Sequence, residues 1–232
     1  MIKVLGNNIV NAFTGGKPVN AIYAYGKKVW PSKVLPPSNN VIYYTSTDGQ
    51  VVTPYRNGSG GTGSDMTDGF GSKILSNTYA DGLGIITFDG DVSKVYFGFK
   101  NCSTLRTIIL PSSVTEISWS AFDSCVNLVS INIPSNVIRI DFLAFYDCKS
   151  LTNIKIPGLV SYIGLDSFRG CTSLIEVLVD AVNCPSIESS STDRGPFDQN
   201  ADGRKIKVPA GSVEAYKTAP EWSRYADSIV SQ

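Results

Sequence analysis

The sequence of 232 residues contains no histidine. That removes the usual proton shuttle and the commonest nitrogen ligand, so triad chemistry and most transition-metal sites lose a member they depend on. None of the five cysteines stands in a CxxC pair, which argues against a zinc ribbon or a dithiol redox motif. Charge shows no excess of either sign: 20 basic side chains face 20 acidic ones, and nothing in that balance attracts nucleic acid or an anionic membrane. No apolar run approaches the roughly 18 residues of a membrane helix, so membrane insertion is not expected. Met1-Ile2-Lys3-Val4-Leu5-Gly6-Asn7 turns polar too early for a secretory signal, and no signal peptide is visible. Acidic residues are scattered, and Asp89-Gly90-Asp91 is too short for a calcium loop. No catalytic residue, cofactor or metal site is therefore expected, and the chain reads as a non-enzyme.

What is present is a repeat. Cys102, Cys125, Cys148 and Cys171 recur every 23 residues, each three positions before Leu105, Leu128, Leu151 or Leu174 and three after Phe99, Phe122, Phe145 or Phe168. An apolar-x-apolar pair follows each Leu: Ile108/Leu110, Ile131/Ile133, Ile154/Ile156 and Val177/Val179. Pro111, Pro134 and Pro157 come next, then Val114/Ile117, Val137/Ile140 and Val160/Ile163. A period held without a slip means stacked supersecondary units, each covering its neighbour's apolar face. Within a unit the Leu and the apolar pair point inward from a short strand, Pro ends the strand because it has no N–H to donate, and Ala144-Phe145 suit a brief helical turn that drops the ring into the core.

The pattern AFxxCxxLxxIxIPxxVxxI resembles the BspA-like class of bacterial leucine-rich repeats, closely over 99–180 and more loosely on both sides. The resemblance implies a repeat solenoid, a short right-handed β/α coil, here with a small N-terminal β module. It also implies a surface protein of host-associated bacteria that recognises proteins or glycans.

Four segments are expected. Residues 1–38 read as the β module and a Pro-rich linker, from two hairpin-like pieces with Gly6-Asn7 and Gly26-Lys27 turns. That module is either a docking element, through residues 1–33, or a brace on its neighbour. Residues 39–98 hold a hairpin turning at Asp48-Gly49, a Gly-rich loop at 57–64 with no βαβ context, and a worn capping unit of Leu83, Ile86, Phe88, Val92 and Val95. Residues 99–180 are the four clear units. Residues 181–232 carry a last unit (Phe197, Ile206, Val208) after an insertion of six, then a capped helix from Ser212, with Trp222, Tyr225 and Ile229 closing the core.

The cysteine column reads as buried free thiols acting as small hydrophobes. The candidate binding surface is the outward strand face: Thr107, Ile109, Ser130, Asn132, Asn153, Lys155, Glu176 and Leu178. An ordinary solvated sheet would show the same mixture. Two functions are expected from these residues and the resemblance. One is a binding or adhesion protein with a protein or glycan partner, at the cell surface or outside it. The other is a structural or host-recognition component of a phage virion, a tail or capsid accessory held by its N-terminal module.

Overall fold

A computed structural model describes residues 38–55, 69–190 and 194–232, together with four two-residue strands between 13 and 28. Those strands form two antiparallel pairs, β1 (Phe13–Thr14) with β2 (Lys17–Pro18) and β3 (Tyr23–Ala24) with β4 (Lys27–Lys28). Of the expected Gly26-Lys27 turn, Lys27 pairs with Ala24 and Gly26 lies outside the described residues. Gly6-Asn7, the rest of 1–33 and the Gly-rich 57–64 lie outside the described residues.

The next elements are β5 (Val41–Ser46), β6 (Ile74–Ala80), β7 (Leu83–Phe88) and β8 (Lys94–Val95). Each repeat then contributes a longer strand and a two-residue strand: β9 (Leu105–Ile109) and β10 (Glu116–Ile117), β11 (Ser130–Asn132) and β12 (Arg139–Ile140), β13 (Asn153–Ile156) and β14 (Tyr162–Ile163), β15 (Glu176–Val179) and β16 (Ser186–Ile187). The chain ends with β17 (Lys205–Val208), α1 (Val213–Thr218) and β18 (Ile229–Ser231). Successive units pair in parallel, with Glu116 opposite Arg139 and Asn153 opposite Glu176. The two-residue strands form an unbroken narrow ladder, β8-β10-β12-β14-β16, while the longer strands form two sheets, β11-β9-β5-β7-β6 and β13-β15-β17-β18.

The core is the repeat's own column. Phe99, Phe122, Phe145, Phe168 and Phe197 are all fully buried and stack with centroids 5.4, 5.2, 5.0 and 5.4 Å apart. At the ends the stacking stops against rings turned across it: Phe70 meets Phe99 edge-on, and Tyr225 meets Phe197 edge-on. Both arrangements are favourable for aromatic quadrupoles. Each interior thiol donates to the phenylalanine carbonyl of the preceding unit, Cys125 to Phe99 at 2.9 Å, Cys148 to Phe122 at 3.2 Å and Cys171 to Phe145 at 3.1 Å. All five cysteines are free. The column positions are therefore donors as well as small hydrophobes.

Three expectations change. Between the strands the described units carry hydrogen-bonded turns, not a helix: Ala144 N bonds Asp141 O, and Phe145 N bonds Ser167 O of the next unit at 2.6 Å. Two residues per unit take left-handed backbone, Phe97, Ser120, Leu143 and Asp166 at φ 51, 49, 55 and 56, and Asn101, Ser124, Asp147 and Gly170 at φ 60, 61, 54 and 77. No β-branched residue occupies either column, as side-chain sterics require.

The hairpin at Asp48-Gly49 does not form. β5 instead inserts between β7 and β9 and pairs antiparallel with both, Tyr44 standing opposite Gly84 on one side and Ile108 on the other. Residues 51–55 carry no strand. They stand in for a missing preceding unit, since Cys102 donates its thiol to Thr53 O and Tyr55 N bonds Gly98 O. The hairpin in this region is β6-β7, turning at Asp81 and Gly82, both with positive φ, as a two-residue loop between twisted strands demands.

At the far end, Ser212 does not cap α1. Its hydroxyl bonds Val182 O at 2.8 Å. Phe197, Ile206, Val208, Trp222, Tyr225 and Ile229 are buried as expected, with Trp222 Nε1 donating to Pro185 O and Tyr216 Oη to Ala181 O.

Candidate functional site

The strand face divides in two. Thr107, Ile109 and Ser130 point away from the core yet are buried, and the Thr107 and Thr45 hydroxyls bond each other at 2.6 Å. Asn132 is half-buried and spends its amide on the backbone of Leu110, accepting from N at 2.8 Å and donating to O at 3.1 Å. These four form the closed part of the face. Asn153, Glu176 and Leu178 are half-buried and Lys155 is exposed, so the accessible part of the face lies on β13, β15 and β17. Its charges are matched locally, Lys155 with Asp180 at 2.9 Å and Lys207 with Glu176 at 2.6 Å.

A second surface was not singled out from the sequence. On the narrow ladder the core takes Val95, Ile117, Ile140, Ile163 and Ile187. The alternate residues face outward in register: Lys94, Glu116, Arg139 and Tyr162. In the turns just beyond lies a rank of apolar side chains, Tyr96, Trp119, Phe142 and Leu165. The backbone aligns them, because Phe97 N bonds Trp119 O, Ser120 N bonds Phe142 O and Leu143 N bonds Leu165 O. Trp119 is 49% exposed and packs edge-on against Phe142 at 5.6 Å, while Tyr96 packs edge-on against Phe97 at 4.6 Å. The sequence signal was present, since Trp119, Phe142 and Leu165 share the 23-residue period three positions before the core phenylalanines. A search confined to inward positions passes over them.

Charge along this flank is balanced. Arg139 pairs with Asp141 at 3.1 Å and Lys100 with Asp123 at 2.9 Å. Arg139 also lies over the Tyr162 ring at 3.8 Å. Burial and a hydrogen bond to the Glu188 carboxylate push the Tyr162 phenol up to about 12, so it stays protonated.

A third feature is an open cleft of about 820 Å³ at the C-terminal cap, lined in part by Asp198, Asn200, Arg204, Arg224 and Tyr225. Within it Asp198 takes Arg224 at 2.9 Å and the Tyr225 hydroxyl at 3.0 Å, while the buried Arg204 Nε has no partner among the described residues. Burial lowers the Arg204 pKa. Among the described residues no group of three acidic or cysteine side chains is placed to hold a metal ion, and no helix is long and apolar enough to cross a membrane.

Parallel strands recurring at a fixed period around one aromatic column define a repeat fold whose outer surface is the part free to vary. A family model for the BspA type leucine rich repeat region matches residues 81–193 in six copies. Residues 81–193 are a BspA-like leucine-rich repeat region. Among solved structures it is similar to the Leucine Rich Repeat protein of T. pallidum, at 33% identity and a TM-score of 0.47 over 54% of this chain and 56% of that one. It is also similar to a leucine rich cell surface protein from Faecalibacterium prausnitzii, at 23% identity and a TM-score of 0.38 over 49% of this chain and 38% of the other. A leucine-rich repeat protein from Bacteroides ovatus matches at 20% identity and a TM-score of 0.32, over 57% of this chain and 48% of that one. The chain thus spans between 38% and 56% of the length of these proteins. No curated protein matches.

Proposed function

We propose that this chain is a non-enzymatic recognition protein of a bacterial surface, a short right-handed solenoid that binds a protein or glycan through the outside of its repeats. The observation that carries this reading is the division of labour within each unit. Positions that repeat unchanged, the Phe, Cys and Leu columns, are all interior. Positions that differ from unit to unit, such as Asn153 and Glu176 on the open half of the strand face or Lys94, Glu116, Arg139 and Tyr162 on the narrow ladder, are only half-buried and face outward. A stack of this kind holds a constant scaffold beneath a variable surface, the arrangement repeat proteins use for recognition. Exposed tryptophan beside arginine and tyrosine is also the composition of binding hot spots.

The test is antibody labelling of intact source cells, together with binding of the fluorescent whole chain to host cells and to matrix-coated surfaces. Labelling without permeabilisation and saturable binding are expected. Label that appears only after lysis, or turnover of a substrate by the purified chain, overturns the reading.

A further inference from the structure

We propose that the flank carrying β8, β10, β12 and β14 is a binding strip for a linear, uncharged oligosaccharide. This rests on the recognition reading above and names the ligand class for one of its surfaces. Two ranks run side by side along the stack. One is Tyr96, Trp119 and Phe142, aligned by backbone hydrogen bonds, with Trp119 49% exposed and the Tyr96 and Phe142 rings half-buried on either side of it. The other is Lys94, Glu116, Arg139 and Tyr162, aligned by ladder pairing. Neighbouring strands in a ladder stand about 4.8 Å apart, close to the length of one sugar ring. A polymer lying along the stack would meet a similar pair of groups at each step. Rings accept the C–H faces of a pyranose, and the polar rank meets its hydroxyls.

The charge pattern selects an uncharged polymer. The polar rank alternates donor and acceptor, Lys94, Glu116, Arg139, and hydroxyls do both. Arg139 is already neutralised by Asp141 and Lys100 by Asp123, so an anionic glycan finds no surplus of positive charge. The strip is also bounded. Arg139 covers the Tyr162 ring at 3.8 Å, and the apolar rank ends in an aliphatic residue, Leu165. Four units therefore lie along it, and affinity should rise with chain length to about a tetrasaccharide and then level off.

The experiment is calorimetric titration of the whole chain with linear hexose and N-acetylhexosamine series, from disaccharide to hexasaccharide in α and β linkages, with sialylated and sulfated counterparts, at low and high salt. At least one neutral series should bind, with the length plateau just described and little response to salt. Trp119→Ala and Tyr96→Ala should each weaken that binding by about tenfold in chains that still melt cooperatively, and Lys155→Ala on the strand face should not. Binding confined to the charged sugars and lost at high salt overturns the proposal. So does neutral binding that both ring variants leave intact. If no oligosaccharide binds while the chain still binds cells or matrix proteins, the oligosaccharide proposal falls and the recognition reading stands. If nothing binds in either assay, both fall.

Discussion

The interior units and the N-terminal unit share a sequence pattern but solve the same packing problem in different ways. In the interior, each unit is covered by a copy of itself, so a buried ring meets a nearly parallel ring and each thiol meets a phenylalanine carbonyl. At the N-terminus no copy precedes the first thiol, and the chain supplies substitutes from outside the repeat: Phe70 turned edge-on for the stacked ring, Thr53 for the carbonyl, and β5 wedged between β7 and β9. A periodic core needs only one solution repeated, whereas its end needs a custom one, since the exposed apolar face must be covered by something that does not propagate.

The largest expected effect lies in the interior. Phe145→Ala removes a ring held between Phe122 and Phe168 and should cost about 3–5 kcal/mol. Chemical denaturation measures it, and a loss under a third of that would mean the column is not the core. Gly84→Ala probes the end instead. A Cβ there would stand 2.1 Å from Tyr44 Cζ, and Tyr44 is pinned by bonds to Asn77 Oδ1 and from Val52 N. The clash should cost about 1–3 kcal/mol. Hydrogen exchange should show protection lost in β5, β6 and β7 and kept in β13, β15 and β17. Uniform loss would show that the end and the interior are one cooperative unit.

The thiols sharpen the comparison through pH. Burial pushes Cys102, bonded to the substitute carbonyl, up to about 12, and Cys125 and Cys148 in the interior well above the ordinary value of 9.0. Above pH 9 the unfolded chain sheds protons that the folded chain keeps. The unfolded state then binds fewer protons, and stability falls with rising pH by about 1.4 kcal/mol per unit for each such thiol. Below pH 9 the contribution is complete and flat. Melts across this range should show the decline, and alkylation should reach Cys102 before Cys125 and Cys148. A flat profile to pH 11 contradicts the burial of the column. The smallest effect is expected on the strand face, where Lys207→Ala removes the solvent-accessible, half-buried pair with Glu176 and should change stability by less than about 1 kcal/mol. A larger change in a melt would mean that this pair braces β15 and β17.

Much of the molecule was legible in the residues because a repeat reports on itself. The 23-residue spacing of Phe, Cys and Leu shows which side chains share a column and how many units stack, and it needs no knowledge of distant contacts. The worn first unit and the displaced last unit follow from the same register. The candidate site was less legible. Inward positions are constrained to be apolar and so announce themselves, while outward ones carry no pattern that separates a covered strand from an open one. Thr107, Ile109 and Ser130 look as available in sequence as Lys155, and Trp119 and Phe142 look like two more aromatic residues.

The sequence by itself determined the period, the composition of the core and the alignment of one unit on the next, since these depend on local spacing and on side-chain chemistry repeated in kind. Only the tertiary structure decided that Val41–Ser46 crosses between strands far along the chain, that half of the strand face is closed, and that Trp119 lies open within a rank of half-buried apolar side chains beside a rank of polar groups. Those outcomes depend on contacts between segments tens of residues apart, where antiparallel pairing competes with a hairpin of similar local propensity. β5 pairs with Gly84 on one side and Ile108 on the other in place of the local hairpin.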